Sequence, residues 1–119
     1  MIKIIIAGGR NYNNYEKLKT EVDKLLAIIK TKTEITIITG GANGTDAMGK
    51  RYAIEHGYKH EEYNADWNRY GSYAGPLRNK EMANNADRLI ALWDGKSRGT
   101  SNMITEAQRR GLKIKVIAI

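Results

Sequence analysis

The chain contains no cysteine, which removes thiol catalysis, disulfide bonds and thiolate metal sites together. Its two histidines, His56 and His60, cannot form a closed zinc site on their own. The longest apolar runs, such as residues 4–7 and 116–119, are far too short to cross a bilayer. Nothing after Met1 resembles a signal peptide, because Lys3 interrupts the first apolar run. We therefore expect a cytoplasmic protein with no membrane contact, no bound metal and no cofactor.

Basic residues exceed acidic ones in this chain. Twenty Lys and Arg against thirteen Asp and Glu give a formal net charge of +7, which favours a negatively charged partner. The basic residues are spread along the sequence rather than clustered, so a nucleotide or phosphate ligand is favoured over DNA or RNA. With 119 residues, of which 41% are hydrophobic, the chain has the size of a single domain spanning 1–119.

Apolar runs and amphipathic stretches alternate along the chain, and this predicts alternating strands and helices. The predicted strands span residues 2–7, 35–39, 59–64, 88–93 and 113–119. The predicted helices span residues 15–30, 44–56, 76–85 and 99–110, with an aromatic, polar loop between the third strand and the third helix. The predicted fold is a single Rossmann-like three-layer α/β domain, with a five-stranded parallel sheet in the order 3-2-1-4-5 and helices on both faces. Ligands of such sheets bind at the carboxyl ends of the strands.

The turn after the first strand carries Gly8, Gly9 and Arg10. Paired glycines let the backbone approach a ligand closely, and the guanidinium of Arg10 can bind a phosphate or a carboxylate with two hydrogen bonds. The same glycines could equally form a simple tight turn.

The turn after the second strand is rich in glycine and leads directly into a helix. Its candidate ligand contacts are Thr39, Gly40, Gly41, Asn43, Gly44 and Asp46. Successive glycines expose backbone N–H groups beside a helix start, which makes an anion-binding concavity. The segment lacks the Lys-Ser/Thr of the Walker pattern and is not the dinucleotide fingerprint. Asp46 either caps the helix or binds a ribose hydroxyl.

The turn after the fourth strand has the same character. Asp94, Ser97, Gly99 and Thr100 open the fourth predicted helix, beside Lys96 and Arg98. Small hydroxyls, glycines and cations at the positive end of a helix predict a second phosphate cradle. Two such cradles in one small domain favour an anionic ligand.

Two further candidates lie between these turns. Arg78 and Asn79 are predicted in the first turn of the third helix, near the crevice mouth, although Arg78 could instead form a surface ion pair. Trp67, with Tyr70 and Tyr73, offers a flat face on which a base could stack, or it packs the loop or a subunit contact.

Taken together and in order, these segments resemble the small YspA-type, YpsA-related branch of the SLOG superfamily, over essentially the whole chain. That superfamily includes the Lonely Guy phosphoribohydrolases, the DNA-processing protein of natural transformation, and sensor domains that recognise nucleotide or cyclic ADP-ribose signals in bacterial immunity. The resemblance implies a Rossmann-like fold with a nucleotide pocket, and it leaves the activity open.

One departure bears on catalysis. The segment from Arg78 to Met82 resembles the Arg-Lys-x-x-Met segment of Lonely Guy enzymes, whose arginine is implicated in catalysis. Gly99 and Thr100 are similar to the Gly-Thr of their Pro-Gly-Gly-x-Gly-Thr-x-x-Glu motif, but the position of the catalytic Glu is Met103. A thioether cannot stabilise a ribosyl cation or activate water as a carboxylate does, so the departure argues against N-glycosidase activity. Asp46, Asp66 or Asp94 could substitute.

The leading hypothesis is a non-catalytic sensor or sequestering sponge for a nucleotide or an ADP-ribose derivative, linear or cyclic, which would counteract nucleotide-signalled bacterial immunity if a phage carried it. One alternative is a nucleoside-monophosphate phosphoribohydrolase or another hydrolase of nucleotide signals. The other is a DNA-binding Rossmann-like protein. Because related SLOG proteins are commonly oligomers, we also expect a homo-oligomer with its pocket near a subunit boundary.

Overall fold

The computed structural model describes residues 1–29 and 34–119. The strands are β1 (Ile2–Gly8), β2 (Ile35–Thr39), β3 (Lys59–Glu62), β4 (Arg88–Trp93) and β5 (Lys113–Ala118). The helices are α1 (Tyr15–Ile29), α2 (Thr45–Glu55), α3 (Trp67–Tyr70), α4 (Ala74–Asn84) and α5 (Arg98–Arg109), and a 3₁₀ turn spans Gly71–Tyr73. The last residue of the first predicted helix, Lys30, lies outside the described residues.

The five strands form one parallel sheet in the order β3-β2-β1-β4-β5, as the sequence predicted. β1 lies at its centre because Ile4, Ile5 and Ile6 are apolar on both faces of the strand, and all three are fully buried. Burial of each such side chain contributes about 1.5 to 3 kcal/mol. The Rossmann-like α/β prediction is confirmed.

Alternate isoleucines of β1 divide the core into two layers. Ile4 and Ile6 face the side covered by α1 and α2, where they pack with Leu18 and Tyr52. Ile5 faces the opposite side, where α4 and α5 supply Met82 and Met103. None of the helices in the described ranges is long and apolar enough to span a bilayer.

The segment before α4 differs from the prediction. Residues 66–73 were expected to form a loop, but Asp66 accepts a hydrogen bond from the Arg69 amide at 3.1 Å and so caps the short helix α3. The following helix begins at Ala74, two residues before Pro76, and the proline still lies in the first turn, where its missing N–H costs nothing. Arg78 therefore lies in the second turn of α4 rather than the first. β3 also ends two residues earlier than predicted.

The topology leaves a crevice at one edge of the sheet. β1 and β4 are neighbours, but the chain after β1 continues to α1 on one face, whereas the chain after β4 continues to α5 on the other. The two connections diverge, and the space between them lies outside the carboxyl ends of the strands.

Candidate functional site

A cavity of about 820 Å³ occupies this crevice. Its volume is within the usual range for sites that hold small organic ligands. Eleven of the residues predicted from the sequence line it: Gly8, Gly9, Arg10, Asp46, Trp67, Arg78, Asn79, Asp94, Ser97, Gly99 and Thr100. The turns after β1 and β4 therefore meet at one site, together with α3 and α4.

Five predicted contacts do not line the cavity: Thr39, Gly40, Gly41, Asn43 and Gly44. At Gly44 and Gly40, other parts of the protein occupy the space beside the backbone. Gly44 has a φ of +68°, and a Cβ there would lie 2.3 Å from the carbonyl oxygen of Arg10. A Cβ on Gly40 would similarly meet the guanidinium of Arg78. These two glycines allow protein groups to approach one another, and contact of this turn with a ligand stays a prediction.

Three side chains of the same segment, and two of its amides, are engaged within the protein. A carboxylate oxygen of Asp46 accepts from the Ala42 amide at 3.1 Å. The amide and the hydroxyl of Thr45 both donate to the Gly9 carbonyl, at 3.2 and 3.0 Å. The Thr39 hydroxyl lies 2.8 Å from Nε2 of His60. The turn before α2 is thus held together internally, and Asp46 contributes to holding it.

The turn before α5 lines the cavity. Asp94 accepts from the amides of Lys96 and Ser97, both at 2.8 Å, and these bonds lower the pKa of Asp94. Ser97 caps the helix by accepting from the Thr100 amide at 3.5 Å. Among the described residues, the Arg98 and Gly99 amides find no acceptor, and a Cβ on Gly99 would meet nothing within 4 Å. These two amides remain available at the start of a helix.

Arg78 is a fixed cation in the cavity wall. One terminal nitrogen donates to the carbonyls of Gly40 and, at 3.5 Å, Tyr63, while Nε donates to Oδ1 of Asn79 at 2.9 Å. Burial lowers the pKa of Arg78, and the nearby charge of Asp46 opposes that effect. An arginine remains protonated at neutral pH despite such a shift. Arg78 therefore brings a permanent positive charge to a half-buried position.

Asp46 is the buried acid of the site. Burial raises the pKa of Asp46, while the Ala42 amide and the charges of Arg78 and Arg10 act in the opposite direction. The guanidinium of Arg10 lies 5.7 Å from the ring centre of Trp67, which is half exposed. Three guanidinium groups, including that of Arg98, and the two carboxylates Asp46 and Asp94 line the cavity, so the arginines outnumber the acids there.

Further lining residues were not predicted from the sequence, and they include Asn11, Tyr12, Ser72 and Asn102. Arg98 of the predicted cradle and Asn102 are four residues apart, so a helix beginning at the cradle places them on one face, and this spacing could have identified Asn102. The Tyr12 hydroxyl is buried and finds no hydrogen-bond partner among the described residues, and no local pattern indicates that position. Met103 forms part of the apolar floor and is 1% exposed.

The cavity wall has the composition of an anion site rather than of a metal centre. Within residues 1–29 and 34–119, no three His, Asp or Glu side chains lie close enough together to share a metal ion. The site offers guanidinium groups, free amides at a helix start and hydroxyls, all of which bind phosphate oxygens.

Solved structures of two other proteins share this fold. One is TM1055, with a TM-score of 0.69 and 19% identity over 96% of this chain and 72% of that one. The other is DNA processing protein A from Streptococcus pneumoniae, with a TM-score of 0.74 and 15% identity. That alignment covers 98% of this chain but only 50% of the other. At these identities, the likeness establishes the shared fold.

Similarity in sequence is more specific. The Gene 61 protein of Mycobacterium phage D29 is 32% identical over 124 residues, an alignment that covers 96% of this chain and 94% of that protein. A family model described as the YspA, cpYpsA-related SLOG family matches residues 2–70, which is more than half of the chain. The chain therefore belongs to the YspA, cpYpsA-related SLOG family.

Proposed function

We propose that the cavity binds a phosphorylated nucleotide, or an ADP-ribose derivative in linear or cyclic form, and holds it without chemical change. The observation that carries this proposal is the position of Arg78 and Arg10 in the same cavity as the free amides at the start of α5. A phosphate between these groups would receive charge-assisted hydrogen bonds and the favourable field of the helix N-terminus.

Other groups of the cavity fit the rest of a nucleotide. The half-exposed ring of Trp67 offers a face for a base, with Arg10 above it. The buried side chains of Met82 and Met103 supply an apolar floor. Asp94 uses one carboxylate oxygen to hold its own turn, which leaves the second oxygen to accept from a ribose hydroxyl.

The carboxylates of the cavity are poorly suited to turnover of a bound nucleotide. Met103 stands where the resemblance to Lonely Guy enzymes would require a glutamate. The pKa of Asp94 is lowered by its bonds to backbone amides, which makes it a weak base at neutral pH. A nucleotide site in which Met103 replaces the glutamate and Asp94 is a weak base favours a sensor or a sponge.

A hydrolase is the second candidate, and one observation favours it. Asp46 is a buried cavity carboxylate with a raised pKa, a combination that suits a general acid or base. If Asp46 acted in this way, incubation with AMP or ADP-ribose would release free base or ribose phosphate, and Asp46→Asn would abolish that release. We expect both nucleotides to be recovered unchanged by chromatography.

The similarity to a phage protein supports sequestration as the biological role. A phage that carried such a protein would lower the free concentration of a host nucleotide signal. The likeness to a DNA processing protein weakens the preference for a nucleotide over nucleic acid, so single-stranded DNA is the competing ligand. Binding of DNA would strengthen with strand length and weaken steeply with salt, whereas binding of a mononucleotide would show little of either dependence.

The experiment is a calorimetric titration of the protein with ADP-ribose and AMP. Arg78→Lys keeps a positive charge but removes the Nε bond to Asn79, and we expect affinity to fall about tenfold or more, corresponding to roughly 1.4 kcal/mol or more. Arg110→Lys, at the far end of α5, is the matched control and should leave affinity unchanged. Failure of the wild type to bind either nucleotide would contradict the proposal.

A further inference from the structure

Beside the cavity, two asparagines and an arginine form a chain of side-chain hydrogen bonds. Nε of Arg78 donates to Oδ1 of Asn79 at 2.9 Å. Nδ2 of Asn79 donates to the Gly99 carbonyl at 3.3 Å and to Oδ1 of Asn102 at 2.9 Å. Asn79 is buried, and its bonds join α4 to the first turns of α5.

The direction of this chain is fixed by its two ends. A guanidinium can only donate, so the atom of Asn79 that faces Arg78 must be the oxygen. A backbone carbonyl can only accept, so the atom that faces Gly99 must be the nitrogen. Both constraints give the same orientation of the Asn79 amide, and this amide then presents an N–H to Asn102.

The orientation of Asn102 follows from that of Asn79. Asn102 must turn its oxygen towards the N–H of Asn79, which directs its own Nδ2 away from this bond. Asn102 lines the cavity, and its Nδ2 has no acceptor among the described residues. Arg78 and Gly99 together therefore determine that Asn102 offers its donor, and not its acceptor, for a further contact.

We propose that Nδ2 of Asn102 is a fixed donor that reads an acceptor atom of the bound nucleotide, and that Asn79 is the positioning residue that fixes its direction. This inference rests on the proposed function. Arg98 and the free amide of Gly99 line the same part of the cavity, so the site favours an acceptor-rich group. Such a group is a phosphate oxygen, or a carbonyl oxygen or ring nitrogen of the base.

The orientation can be tested without a ligand by measuring the hydrogen exchange of side-chain amides by NMR. In the wild type we expect the Asn79 amide protons to be protected and those of Asn102 to exchange rapidly. In Asn102→Asp the carboxylate still accepts from Asn79, so the protection of Asn79 should persist. Protected Asn102 protons together with rapidly exchanging Asn79 protons would overturn the proposed direction, whatever the ligand.

The contact itself is tested by titration with ADP-ribose and with pyrophosphate. Asn102→Asp replaces the donor by a charged acceptor without disturbing Asn79, and we expect a loss in affinity of about thirtyfold or more. Asn102→Leu removes the donor without adding charge and should lose about fivefold. Asn84→Asp adds the same charge at the exposed C-terminal end of α4 and should change affinity less than twofold.

The two titrants separate the possible acceptors. A loss for both indicates a phosphate oxygen, and a loss for ADP-ribose alone indicates the nucleoside part. Unchanged affinity of Asn102→Asp for both, with a binding-competent wild type, would overturn the inference while leaving the proposed function intact. A wild type that binds neither titrant contradicts the proposed function, and the inferred contact with it.

Discussion

Asp46 is the residue at which burial and charge oppose each other most directly. Its carboxylate is almost fully buried and accepts a hydrogen bond from Ala42, with the cations Arg78 and Arg10 nearby. Burial is the largest influence, so the pKa of Asp46 is raised above the ordinary aspartate value of 3.8. The folded protein therefore holds this proton more tightly than the unfolded chain does.

This shift predicts a specific pH dependence for Asp46→Asn. As pH rises from about 3.8 towards the folded-state pKa, the unfolded chain ionises while the buried carboxyl keeps its proton, so the stability of the wild type falls. The variant has no such ionisation. The difference in the free energy of unfolding between Asp46→Asn and the wild type should be near zero at low pH. As pH rises it should increasingly favour the variant, until it reaches a plateau. Denaturant unfolding at a series of pH values measures it, and a difference that shrinks with rising pH would contradict the assignment.

Two glycines with similar backbone conformations are expected to lose different amounts of stability when they are replaced by alanine. Gly44 and Gly57 have φ values of +68° and +72°, but a Cβ would strike the Arg10 carbonyl only at Gly44 and would meet nothing within 4 Å at Gly57. We expect Gly57→Ala to lose about 1 to 2 kcal/mol of stability from the backbone alone. Gly44→Ala should lose a further amount of about 1 to 3 kcal/mol. Equal losses in urea unfolding would show that the two turns are not closely packed.

The sequence shows which glycines lie between a strand and a helix, but it does not show which atoms each glycine packs against. Gly99 and Gly44 both follow a strand and precede a helix, and both were predicted to contact a ligand. Gly99 faces open space in the cavity, whereas Gly44 lies against the turn after β1. That difference depends on contacts between residues 34 positions apart in the chain (44 minus 10), and no local pattern encodes it.

At the level of elements, the start of α5 has a side-chain cap and also backbone amides that a ligand could reach. Ser97 caps the helix and Asp94 accepts from the preceding amides, while the Gly99 amide donates to no acceptor in the part of the chain that the structure describes. This element could be predicted closely, because an apolar strand, a polar turn and a helix follow one another in the sequence. The short helix α3 was missed because aromatic and polar residues gave its four-residue span no helical periodicity.

Gly99→Ala tests whether this helix start faces the ligand. Alanine favours helices more than glycine does, and the Cβ would meet no protein atom, so stability should be unchanged or up to about 1 kcal/mol higher. The added methyl would enter the cavity beside the free amide, and we expect nucleotide affinity to fall about tenfold. Ser101→Ala, on the same helix but outside the cavity lining, is the control. Unchanged affinity in Gly99→Ala would place the ligand elsewhere.

At the scale of the whole molecule, four large apolar or aromatic side chains near the cavity in sequence are exposed: Trp67, which lines the cavity, and Tyr70, Tyr73 and Leu77. We expect these side chains to lie near a subunit boundary of a homo-oligomer. Light scattering should give a dimer or larger for the wild type, and Tyr73→Glu should shift it towards the monomer, since Tyr73 is 73% exposed and contributes little to the core. A wild type that stays monomeric at high micromolar concentration would refute this expectation.

The global architecture was the most predictable feature, because each buried strand is a short apolar run and the right-handed crossovers restrict the topology. The position of the cavity could also be predicted, because β1 and β4 are neighbours and the connections that follow them diverge to opposite faces of the sheet. The hydrogen bonds within the turn before α2 could not be predicted, because they depend on how Asp46, Thr45 and Gly9 meet in three dimensions.

An NMR titration of the ¹⁵N-labelled protein with ADP-ribose tests the central claim most directly, because it reports both binding and position. We predict saturable shift changes concentrated at the backbone amides of Gly9, Arg10, Arg98 and Gly99 and at the side chain of Asn102, with little change in the turn of residues 40–44 beyond its contacts with Arg10. No shift changes, or changes confined to surfaces away from the carboxyl ends of β1 and β4, would contradict the account.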